Sequence, residues 1–138
     1  MGDCQNEDLR VDFDRRLKLK FLGSQITTDA GLLAYRELDE ALGLTEMGAD
    51  VLTDCRLGSN KQHQLVPLLR QSIYSRLAGY EDVNDAQRLC VDPAMRHVVG
   101  GRASQPEKQA ASTSEVGRFE TETLSTKRNL TALMNLSG

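Results

Sequence analysis

In RLKLKFLGSQITTDAG, Leu17, Leu19 and Phe21 alternate with Lys18 and Lys20, the period of a strand with one buried face. Gly23 and Ser24 supply a turn, and residues 25 to 27 offer only a brief return strand. The pattern predicts a short N-terminal strand or hairpin, with room for its sheet to be completed by sequence outside this chain. The period then changes. Thr28 and Asp29 can cap a helix over AGLLAYRELDEALG, which places Leu32, Leu38 and Leu42 with Tyr35 on one side and stops at Gly43. A second short helix follows in LTEMGADVL with Thr45 as its cap, and TDCRLGSNK reads as a loop. In HQLVPLLRQSIYSRLAGY, Leu65, Leu69, Ile73 and Leu77 recur every fourth residue, with Leu68 and Tyr74 alongside. Pro67 either sits in the first turn of that helix or kinks it.

The stretch GYEDVNDAQRLCVDPAM concentrates Glu81, Asp82, Asp85 and Asp92, and these acids could be a metal site or helix punctuation. Asn84 and Asp92 each occupy a natural N-cap position, Pro93 suits the first helical position, and Gly100 and Gly101 close the helix that follows. Asp85 falls in a first turn, where the helix dipole favours negative charge. A calcium loop needs a D-x-D-x-D-G series with a downstream Glu, and this stretch lacks it. Capping is the better account.

Beyond it, RASQPEKQAASTSE reads as an exposed connector over residues 102–111. Ser112 and Glu115 form an S-x-x-E capping box opening a helix in SEVGRFETETL, and NLTALMNL predicts a last short helix. The first ten residues are polar and aperiodic, as in a disordered terminus. The chain thus reads as mainly α, several short amphipathic helices behind a short N-terminal strand or hairpin.

Composition narrows the chemistry. A length of 138 residues allows one domain with a modest core. With 17 Lys and Arg against 20 Asp and Glu, the net charge is −3, so any nucleic-acid contact must be local. No apolar run approaches the roughly 20 residues needed to span a bilayer, and MGDCQNEDLR has no signal-peptide pattern, which predicts a cytoplasmic protein without membrane partners. Cys4, Cys55 and Cys90 are odd in number and widely spaced, and His63 and His97 do not complete a zinc pattern with them. The sequence offers no metal ligands, no G-x-S-x-G nucleophile and no phosphate-cradling glycine loop, so no catalytic residue is assigned.

Two features point toward nucleic acid. Arg56, Lys61, Arg70 and Arg76 fall between Asp54 and Glu81 with no acid among them, a local basic stretch able to face a phosphate backbone or simply water. STSEVGRFE carries Ser112, Thr113, Ser114 and Arg118 on one helix, residue types that reach phosphates and base edges, although the connector before it exceeds a helix-turn-helix turn.

Three strings, ITTDAGLLAYRELDEALGLTE, LLRQSIYSRLAGYEDVNDAQRLCVDPAM and ASTSEVGRFETETLS with NLTALMNLSG, in that order, resemble the N-terminal region of bacterial insertion-sequence transposases of the DDE type. The resemblance runs from about Val11 to Gly138. It implies a protein that binds the terminal inverted repeats of its element, then cuts and rejoins DNA with two Mg2+ ions held by an Asp, an Asp and a Glu on an RNase-H-like sheet. None of the acids here matches those positions, so the resemblance makes this chain an incomplete piece of a larger transposase fold, inactive alone and holding no cofactor itself. It divides the chain into a disordered terminus (1–10), a helical N-terminal domain (11–101), the connector (102–111) and a helical segment (112–138) leading toward the catalytic domain. The expected partners are the element's DNA ends, a second copy or full-length transposase. The rival readings are a helical interaction module or transposition regulator that binds no DNA, and a truncated remnant without function.

Overall fold

A computed structural model of the chain describes residues 9–19, 28–58, 61–105 and 107–136. The described part is mainly helical, with seven α-helices: α1 (Gly31–Leu42), α2 (Leu44–Val51), α3 (Leu65–Leu77), α4 (Ala86–Leu89), α5 (Pro93–Val99), α6 (Thr113–Arg118) and α7 (Lys127–Asn135). The predicted N-terminal strand is not supported as such. Leu9–Arg10 pairs antiparallel with Lys18–Leu19 for two residues only, and Phe21 and residues 25 to 27 lie outside the described residues, as do eight of the ten residues read as a disordered terminus. Residues 11–14 instead lie against α1 and α5. Val11 is buried, the Asp12 amide donates to the Glu37 carboxylate at 2.8 and 3.0 Å, and the Arg36 guanidinium stacks 4.8 Å from the Phe13 ring centroid.

α3 is the axis of the fold. Its Tyr74 joins Leu32, Leu89, Met95, Val98 and Val99 in one apolar cluster, and its Leu68 and Leu69 join Ala49, Leu52, Val116 and Phe119 in the other. Each large side chain fully withdrawn from water contributes about 1.5–3 kcal/mol, so these two clusters supply the main cohesion. Packing on both sides explains why the four-residue leucine spacing misreads α3. Its buried face is Pro67 to Ser72 with Tyr74, whereas Ile73 and Leu77 are exposed.

α1 corrects the sequence reading more sharply. Leu32 faces the core, but Tyr35, Leu38 and Leu42 are about half exposed, and the inward positions are taken by Arg36 and Asp39. Asp39 accepts from the Thr45 amide at 2.7 Å, from the Thr45 hydroxyl and from the Tyr74 hydroxyl at 2.8 Å, with Arg70 Nε at 3.4 Å. Burial alone would raise its carboxyl, but the Thr45 and Tyr74 hydrogen bonds and the Arg70 charge outweigh it and hold the group below its ordinary value. Burial, then the bond to Asp39, pushes the Tyr74 phenol up. Asp39 thereby satisfies the first turn of α2, so Thr45 is a donor inside that helix rather than its cap. Gly43, at φ +66, holds the left-handed residue between the two helices.

Further caps follow the same physics, with one shift. Asp92 accepts from the Met95 amide at 2.8 Å ahead of Pro93, as read. Upstream the cap is Asp82, accepting from the Asn84 amide at 2.9 Å, rather than Asn84 itself. α6 opens with the Ser112–Glu115 capping box and runs on through a wider π-helical segment, Phe119–Leu124, closed by the Ser125 amide on the Glu120 carbonyl at 3.0 Å. α7 starts at Lys127, with Thr126 as cap, two residues before the predicted helix. It docks through buried Asn129, whose amide bridges both backbone groups of Thr53.

The stretch read as an exposed connector is strapped to the core. It begins as a 3-10 turn, Gly101–Ser104, and Ala103, Ala110 and Ala111 are buried. The Gln71 side-chain amide donates to the Ala111 carbonyl at 2.7 Å and accepts from the Ala111 amide at 2.8 Å, as a β-ladder partner would. The Ala110 amide donates to the Cys90 carbonyl at 2.8 Å.

Candidate nucleic-acid interface

The fastening of residues 109–112 to α3 and α4 brings the first turn of α6 opposite the loop that follows α2. An open groove of about 800 Å3 lies between them. Its walls carry Arg56 and Lys61 from the loop, Arg102 and Lys108 from the former connector, and Ser112, Ser114 and Arg118 from α6. Glu107, Glu115 and Glu122 also line it, so its charge is mixed with cations in excess. Among the described residues, Arg102, Lys108 and Arg118 make no ion pair, which leaves them able to meet an anion.

His63 is the floor of this groove and is itself buried. Its Nδ1 lies 2.9 Å from Glu115 Oε1 and its Nε2 lies 3.0 Å from the Gln109 carbonyl, and its own carbonyl accepts from Arg56 Nη1 at 2.8 Å. The loop wall is cross-linked by side chains in the same way. Arg56 donates to both oxygens of Asp54 at 2.8 Å, and Lys61 adds a third contact at 3.1 Å. The Arg56 hydrogen bonds hold the Asp54 carboxyl far below the usual carboxylate range. Glu115 is also held low, because hydrogen bonds from the Ser112 amide and from His63 outweigh a burial that would raise it.

The sequence-predicted contact residues do not all meet here. Arg56, Lys61, Ser112, Ser114 and Arg118 share the groove, and Thr113, half-buried, is not among its lining residues. Arg70 is buried inside the Asp39 network, donating to the Thr45 hydroxyl at 2.9 Å, so it has no surface to offer a phosphate. Arg76 is exposed but lies elsewhere, forked onto Glu120 at 2.7 and 3.0 Å beside Glu81 and Asp82. Arg102 and Lys108 were missed because their segment read as a spacer, and only its return to the core places them opposite Arg118.

The described carboxylates form no set that would hold a pair of magnesium ions. Asp39, Asp54 and Glu115 are engaged by the donors named above. Glu120 accepts from Ser72 Oγ at 2.6 Å and from Arg76. Asp82 and Asp92 cap helices. Among the described residues no group of three or more His, Cys, Asp or Glu side chains is arranged to hold a metal ion. Nor is any helix among them long and apolar enough to cross a membrane.

No curated protein and no solved structure matches the chain. The family model described as transposase DDE domain group 1 does match, over residues 9–137, which takes in every described helix and the residues that line the groove. The chain belongs to the group 1 DDE transposase family.

Proposed function

We propose that the groove between the 52–64 loop, the 101–112 stretch and α6 receives the phosphate backbone of DNA, and that through it this chain contributes recognition of the element's terminal inverted repeats, or assembly on them, to transposition. The observation that carries the reading is the meeting of Arg102, Lys108 and Arg118, none ion-paired among the described residues, with Arg56 and Lys61 in one groove of a chain whose net charge is −3. Local cations in an acidic chain favour a defined contact, because diffuse attraction to a polyanion is weak. The Ser114 hydroxyl stands beside them as a phosphate or base-edge partner, while that of Ser112 is spent on the capping box. In this reading strand cleavage rests on carboxylates other than Asp39, Asp54, Asp82, Asp92, Glu115 and Glu120, which are committed to caps and ion pairs.

The test is a salt titration of the folded chain, read by fluorescence anisotropy, against a duplex carrying the element's end and a scrambled duplex. Preference for the end, with affinity falling steeply as salt rises, is the expected result. A folded chain that binds neither duplex at low salt would exclude the reading. Magnesium-dependent cleavage lost in Asp82→Asn or Asp85→Asn would refute the non-catalytic half.

A further inference from the structure

We infer that the face formed by α1 and α2 is a docking surface for a basic amphipathic helix, a site separate from the groove and independent of it. α1 leaves Tyr35, Leu38 and Leu42 exposed by 49, 52 and 54%, and α2 leaves Leu44, Met47 and Val51 exposed by 51, 48 and 38%. Each trio is spaced three then four residues, the seam by which one helix accepts another. Leu42 and Leu44 flank Gly43, so the two seams meet at the bend. Six large apolar side chains left exposed on two consecutive helices are the kind of surface that marks protein contact sites.

Charge identifies the occupant. The exposed or half-exposed ionised groups on these helices are Glu37, Glu40, Glu46 and Asp50, all acidic. Their single cation, Arg36, is buried, with its Nη1 2.7 Å from Glu40. A second copy meeting this face by a two-fold contact would set acid against acid, and DNA would be repelled outright. A helix with apolar residues at matching spacing and Lys or Arg along its flanks satisfies both the seam and the charge.

The probe is a fluorescein-labelled helix of about 18 residues built only from Leu and Lys, with its Leu-and-Glu counterpart as control, titrated with the full chain in about 150 mM salt. The Leu-and-Lys helix is expected to bind and its counterpart not to. Leu38→Ser with Met47→Ser should weaken binding by roughly tenfold or more, while Val91→Ser, an equally exposed apolar position outside α1 and α2, changes it less than about twofold. All three side chains are exposed, so an unchanged melting temperature certifies the fold of each variant. Amide shifts on titration should concentrate in α1 and α2.

Absence of binding by the folded chain overturns the inference. So does equal affinity in the double variant, or shifts centred on the Glu81–Asp82 acids. A concentration-dependent dimer abolished by Leu38→Ser would assign the face to a second copy and overturn it as well. None of these outcomes depends on whether the groove binds DNA.

Discussion

Glu115 Oε1 sits 2.9 Å from Nδ1 of buried His63, and this contact joins the loop before α3 to the first turn of α6 across the floor of the groove. The other Glu115 oxygen accepts from the Ser112 amide at 3.0 Å, so one carboxylate both caps the helix and anchors it to the loop.

That double duty makes the acid limb of stability a test of the contact. The folded Glu115 carboxyl titrates below its ordinary value, so its stabilisation is complete above the unfolded value of about 4.3 and is lost as pH falls through the folded one. Glu115→Gln should cost about 1–3 kcal/mol at neutral pH and flatten the acid limb. Urea midpoints followed from about pH 7 to about pH 3 in both proteins would check it; parallel curves would remove the contact from the account.

Arg70 and Arg118 should separate stability from binding. Arg70→Ala takes from buried Asp39 the nearer of its two guanidinium neighbours, for an expected loss of about 3 kcal/mol in chemical denaturation. Arg118→Ala removes an exposed cation and should alter stability by less than about 0.5 kcal/mol. In the salt titration it should lower the slope of log affinity against log salt by about one. An unchanged slope would place Arg118 away from the phosphates.

Gln71 holds the groove's rear wall. Gln71→Leu keeps the volume but strands the buried amide and carbonyl of Ala111, an expected cost of about 2–4 kcal/mol in urea unfolding. If the protein is as stable with leucine there, residues 109–111 are held by other means.

Two glycines should respond differently to a methyl group. At Gly101 (φ +60) an added Cβ would come within 2.7 Å of Pro67 Cγ, so Gly101→Ala combines backbone strain with a clash and should cost about 2–4 kcal/mol. At Gly43 (φ +66) nothing lies within 4 Å, and Gly43→Ala should cost about 1 kcal/mol from the backbone alone. Thermal melts of the two variants provide the comparison, and equal losses would mean that Pro67 yields.

The sequence by itself determined what depends on neighbours a few residues apart. Asp92 with Pro93, Ser112 with Glu115, and Gly43 after Leu42 announce helix ends because caps and left-handed residues act within one turn, and three ordered strings carried the family. Tertiary structure alone decided which face of each helix turned inward. α3 is packed on two sides, so no single apolar stripe describes it, and α1 could bury Asp39 only because Tyr74, Thr45 and Arg70 arrive from elsewhere to satisfy it. The groove belongs to the same class. Arg102, Lys108 and Arg118 became neighbours through hydrogen bonds joining residues forty or more positions apart, such as Gln71 with Ala111 and His63 with Gln109, and Arg70 was withdrawn from the surface by Thr45, 25 positions away. Local spacing carries no record of such contacts.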